Sequence, residues 1–125
     1  MQPQAISAYQ EVGTVTASGL GLTLLLFDGA IRALGEARRS LERGDAPGFA
    51  RSQARAHAIV FLLADSLNHE AGGEIARNLA RLYDFMLRHL TEGLLARSPA
   101  HLERVAGLLG ELRDGFAAVS APAPA

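Results

Sequence analysis

At 125 residues the chain is one domain, long enough to bury about two-thirds of its unfolded surface without covalent staples. It holds no Cys, which excludes disulfides and thiolate metal ligands, and its net charge of -1 gives no pull toward nucleic acid or an anionic membrane. Residues 1–13 lack a basic stretch followed by an apolar run, and the apolar run 20–27 is too short to span a bilayer. Neither secretion nor stable membrane insertion is expected, and the missing Cys fits a cytoplasmic home.

Residues 1–17 are rich in Gln, Ser and Thr, with isolated apolar side chains at Ile6, Tyr9, Val12 and Val15. The spacing of three suits one face of a short helix or a segment lying in a groove, and the segment is read as an N-terminal cap. A first helix is predicted over about 19–43, with Ser18 as its N-cap. Its seam is Leu20, Leu24, Phe27, Ile31, Leu34 and Leu41, broken only at Arg38. Gly44-Asp45-Ala46-Pro47 then closes one helix and opens another, with Gly at the C-terminal stop, Asp as N-cap and Pro in the first turn.

The second helix is expected over about 47–69, seamed by Ala56, Val60, Leu63 and Leu67, and residues 68–73 break it with paired glycines. A third helix, about 73–96, carries apolar residues at Ile75, Leu79, Leu82, Met86 and Leu90. Ser98-Pro99 restarts the chain, and a fourth helix runs to about 118 through Leu102, Val105, Leu109, Leu112, Phe116 and Val119. Residues 120–125 read as a disordered tail. No strand alternation occurs, and short connections between long helices predict an all-α, antiparallel up-down-up-down four-helix bundle spanning 18–119.

The first and third helices echo one another. Leu26-Phe27-Asp28-x-x-Ile31-Arg32 aligns with Leu82-Tyr83-Asp84-x-x-Leu87-Arg88. In each, an aromatic precedes an aliphatic by one turn, and an Asp precedes an Arg at i, i+4 as a favourable ion pair.

Chemistry is hard to find. Bundle di-iron sites need Glu-x-x-His, and no Asp or Glu here is followed by His three residues later. His57, His69, His89 and His101 are scattered and read as surface or flanking residues rather than metal ligands; the nearest same-face pair, Asp65 and His69, is too little for a site. There is no Gly-x-Ser-x-Gly and no phosphate-binding loop. Glu74 at the start of the third helix suits the helix dipole and argues against an anion there. The expectation is no enzyme, no cofactor and no metal.

Apolar surface, by contrast, is in surplus. Ala58-Ile59-Val60-Phe61-Leu62-Leu63-Ala64 is apolar on every side, and 20–27 nearly so, more than a bundle helix needs. One reading is that both helices are central and fully covered. The other is a groove that accepts amphipathic helices from a partner, with Ile59, Phe61 and Leu62 as its contacts and Ile6, Tyr9 and Val12 as displaceable cover.

The same residues resemble the flagellar export chaperones of the FliS family over nearly the whole chain. The resemblance rests on Ala8-Tyr9-Gln10, Val15-Thr16-Ala17-Ser18 and Leu22-Thr23-Leu24-Leu25-Leu26-Phe27-Asp28-Gly29-Ala30 at the N-terminal side. Leu82-Tyr83-Asp84-Phe85-Met86-Leu87-Arg88-His89-Leu90 and Leu112-Arg113-Asp114-Gly115-Phe116 follow in order. Departures are Ile6 where the family often has Tyr, Gly19 where it usually has Pro, and Phe116 where Trp is common. The resemblance implies a cytoplasmic bacterial chaperone that uses no nucleotide and catalyses no reaction. Such a protein binds the disordered C-terminal region of flagellin, prevents premature filament assembly and delivers flagellin to the type III export gate. A structural bundle that self-associates through its surplus apolar surface, and a ligand- or metal-binding bundle, are the other classes the residues leave open.

Overall fold

A computed structural model describes residues 15–120. Four helices follow one another: α1 (Leu20–Glu42), α2 (Ala46–Asp65), α3 (Gly73–Ala96) and α4 (Pro99–Ser120). Each packs on two neighbours, α1 and α3 both lying against α2 and α4, and the backbones of the diagonal pairs do not approach closely among the described residues. Cross-helix contacts fix the directions. Arg38, late in α1, reaches Glu103, early in α4, at 3.4 Å, and Asp28, early in α1, meets Arg113, late in α4, at 2.9 Å. Gln53, early in α2, donates to the Leu90 carbonyl of α3 at 2.6 Å. The expected all-α antiparallel four-helix bundle is what forms.

The stops and starts follow local chemistry. At the end of α1, the Gly44 amide donates to Leu41 and the Asp45 amide to Ser40, the paired closure that satisfies orphan helix carbonyls, with Gly44 at φ 72°. Asp45 Oδ1 then accepts from the Gly48 amide at 2.9 Å and caps α2, with Pro47 in the first turn. Ser98 Oγ accepts from the His101 amide at 3.3 Å, capping α4 as expected. Ser18 does not cap α1. Gly19 occupies the N-cap position, and the Ser18 hydroxyl bonds those of Thr23 and Thr16 instead.

α3 closes with the same pairing of Arg97 to Leu94 and Ser98 to Gly93, but Arg97 holds the left-handed position at φ 49°. A side chain there costs free energy that glycine avoids. Arg97→Gly is expected to raise stability by up to about 1 kcal/mol, read as a higher urea midpoint with unchanged slope.

α2 stops at Asp65 rather than near residue 69. The next residues are needed elsewhere: Thr16 and Leu67 form an isolated antiparallel bridge, with the Ala17 amide donating to Ser66 and the Asn68 amide to Val15, both at 2.8 Å. α4, in turn, runs to Ser120, two residues beyond the expected end.

The core holds Phe27, Leu34, Val60, Leu63, Tyr83, Met86, Leu90, Leu102, Val105 and Leu109, all fully buried or nearly so. Burial pushes the Tyr83 phenol well above its usual pKa. The seams of two helices are rotated from expectation. α1 buries Thr23, Ala30, Ala33, Ala37 and Ser40, while Leu24, Ile31 and Leu41 are only half-buried. Small residues point inward here because α1 is wedged between α2 and α4, and its larger side chains flank the contact. On α3, Ala76 and Tyr83 take the core positions, Ile75 is exposed and Leu82 half-buried. The echo between the helices holds in part: Phe27 and Tyr83 are equivalent core aromatics, and Asp84 pairs with Arg88 at 3.3 Å. Asp28 pairs with Arg113 of α4 rather than with Arg32.

Candidate functional site

Among the described residues, five of the six large exposed apolar side chains lie toward the end of the bundle where α1 begins, α2 ends and α3 begins. Leu95, late in α3, is exposed at the opposite end, and Ile75 belongs to α3, leaving four on α1 and α2. Leu22 is 52% exposed, Leu25 68%, Phe61 57% and Leu62 51%. Helical spacing sorts them. On α1, Leu22, Leu25 and Gly29 share the shoulder that continues to Glu36, which faces Arg55 of α2 at 3.5 Å. On α2, Arg55, Ile59 and Leu62 share the shoulder facing α1. A Cβ on Gly29 would lie 3.4 Å from Ile59 Cδ1, so the two helices approach closely at this point. The result is a shallow apolar groove with Leu22 and Leu25 on one wall, Leu62 on the other and half-buried Ile59 against a glycine floor.

Of the sequence-predicted contacts, Ile59 and Leu62 lie in this groove. Phe61 is exposed on the opposite shoulder of α2, the side from which Gln53 reaches α3. Ile6, Tyr9 and Val12 lie outside the described residues. The sequence shows the run 20–27 as overfilled but does not single out Leu22 and Leu25, because it carries no signal for which α1 face α2 covers.

The cap segment enters the described structure at Val15, which is buried in the core. Gly72 makes room for it. A Cβ there would lie 2.5 Å from the Asn68 carbonyl oxygen and 3.2 Å from Val15 Cα. Gly72→Ala is therefore expected to cost about 1–3 kcal/mol and to speed amide exchange at Ala17 and Asn68, measured by denaturation and hydrogen exchange.

A third feature joins two helices and does not follow the Glu-x-x-His pattern. His89 and Glu92 stand three residues apart on α3, and His101 faces them from α4. His89 Nδ1 and His101 Nε2 each lie 3.7 Å from Glu92 Oε2. The imidazoles stack at 4.1 Å between centroids, and Phe85 also stacks on His89 at 5.0 Å. Ser98 Oγ is 2.8 Å from His101 Nδ1. Burial first, then the charges of His101 and Arg104, push the His89 pKa down, with Glu92 opposing. Gly93 allows this closeness, because a Cβ there would meet His101 Cβ at 2.7 Å.

Residues 2–123 match the model of the family described as flagellar protein FliS. The chain belongs to the FliS family. It is 38% identical over 122 residues to the flagellar secretion chaperone FliS of Salmonella typhimurium, covering 92% of this chain and 89% of that one. The flagellar secretion chaperone FliSB of Pseudomonas aeruginosa is 32% identical, covering 94% of this chain and 96% of its own. That of Bacillus subtilis is 26% identical, covering 88% and 81%. FliS proteins are chaperones rather than enzymes, and the chain shares their role in flagellar export. No described helix is long and apolar enough to cross a membrane.

Proposed function

We propose that this protein acts in the bacterial cytoplasm as the export chaperone of flagellin. The C-terminal segment of flagellin settles as amphipathic helices along the α1–α2 groove, which blocks premature polymerisation, and the complex is then presented to the type III export gate. The observation that carries this reading is the groove itself. In a family of flagellar secretion chaperones, four large apolar side chains at Leu22, Leu25, Ile59 and Leu62 flank one seam, three of them more than half exposed. Ile6, Tyr9 and Val12 are the proposed cover that the partner displaces; they precede residues 15–17, which the bridge at Thr16 anchors.

A disordered partner loses roughly 2–5 kcal/mol of the gross interaction energy in ordering, so the contact must be extensive and apolar. Calorimetric titration with a flagellin C-terminal segment tests this. One-to-one binding with a negative heat-capacity change and a gain in peptide helicity supports the reading. Absence of binding at high micromolar concentration, alongside self-association that survives dilution, replaces it with a self-pairing bundle.

A further inference from the structure

We propose that His89, Glu92 and His101 form a binding site for a divalent transition-metal ion of the zinc class, clipping the end of α3 to the start of α4. Their ligand atoms all lie within 4.8 Å of one another. The carboxylate oxygen of Glu92 sits 3.7 Å from a ring nitrogen of each histidine, close to the spacing of about 3.4 Å between donors placed tetrahedrally around zinc at about 2.1 Å. Two imidazoles and one carboxylate make a borderline donor set that suits Zn2+, Co2+ or Ni2+ over the hard cations Mg2+ and Ca2+, which prefer all-oxygen sites.

The surroundings support the assignment. With Ser98 Oγ accepting from Nδ1–H of His101, the Nε2 lone pair is left toward Glu92, the outer hydrogen bond that metal-bound histidines commonly make. Two donors come from one turn of α3, and α4 is held against them by the close approach at Gly93. The half-exposed face at Glu92 gives an ion a way in and leaves a fourth position for water. The stacked rings are not yet coplanar with a common ion. Binding therefore turns one imidazole about its Cβ–Cγ bond and draws Glu92 inward, exchanging the stack for two metal–nitrogen bonds. Arg104, beside Phe85 at 5.5 Å, is the cation that opposes occupancy.

The test uses tag-free, full-length protein and Zn2+ alone, followed by calorimetry, with Co2+ as a visible-absorption probe of tetrahedral coordination. One ion per chain is expected, with the side-chain resonances of His89 and His101 shifting and those of His57 and His69 unmoved. Glu92→Gln should weaken binding at least about tenfold and His101→Ala should abolish it, whereas His69→Ala should leave it unchanged. Absence of a stoichiometric ion, or an affinity that survives His101→Ala, overturns the site. So does a Zn2+ response confined to His57 or His69, and this readout needs no variant to fold. Flagellin binding does not enter the test, so this site and the proposed function stand or fall separately.

Discussion

Leu25→Asp combined with Leu62→Asp is expected to weaken binding of the flagellin C-terminal segment by more than about 100-fold, a loss of roughly 2.7 kcal/mol or more. Leu25 is 68% exposed and Leu62 51%, so neither contributes much to the free bundle. Each substitution should shift stability by no more than about 0.5 kcal/mol, because the new carboxylates remain in water until a partner arrives. On binding, a carboxylate must lose its hydration against an apolar helix face with no cation opposite, and that penalty falls on the complex alone. The check is calorimetric affinity beside a urea melt of the same sample. Unchanged affinity with an unchanged melt removes the groove from the proposal. Phe61→Asp measures how far the partner extends, since Phe61 lies across the ridge of α2 from Leu62. A comparable loss there means that the partner wraps over α2, and a small one confines it to the α1–α2 groove.

Phe27→Ala is expected to destabilise the protein by about 3–5 kcal/mol. The ring is wholly buried between α1 and α4 and lies 5.4 Å from the Phe116 ring at 44°, a tilted aromatic pair. Truncation removes that pair and leaves a cavity that α1, held by its closely packed alanines, does not collapse to fill. Against a usual domain stability of about 5–15 kcal/mol, this takes much of the margin. Chemical denaturation at 25 °C gives the number. Phe116→Ala is the useful comparison, because Phe116 is only half-buried and its loss should cost distinctly less.

The bundle was legible because helix punctuation is local. Asp45, Pro47, Ser98 and Pro99 act within one turn of themselves, and the structure uses all four as their chemistry suggests. The end of α2 was not legible. What stops the helix at Asp65 is pairing with residues some fifty positions earlier, and helical periodicity carries no trace of that. The inward face of α1 was misread for a related reason. Hydrophobic pattern ranks Leu above Ala, but a helix wedged between two others puts its small residues where backbones come closest. The candidate groove was half legible: surplus apolar residues announced it, but only the packing of α1 on α2 separates Leu62 from Phe61. The His89–Glu92–His101 cluster is not legible in the Glu-x-x-His pattern, which reads one direction on single helices. Here the order is reversed and the third member comes from across the Ser98–Pro99 turn.

The bridge between Thr16 and Leu67 also has a consequence in time. Residues 15–17 leave the ribosome early, but their partners at 66–68 are synthesised fifty positions later, a delay of roughly 3–10 s at ordinary elongation rates. Throughout that interval the leading segment has no docking place, because the α2–α3 connection that receives it does not exist. Closure of the bridge therefore reports completion of the α1–α2 hairpin. A nascent chain stalled before residue 66 should leave its leading segment open to protease, whereas one released past α3 should protect it.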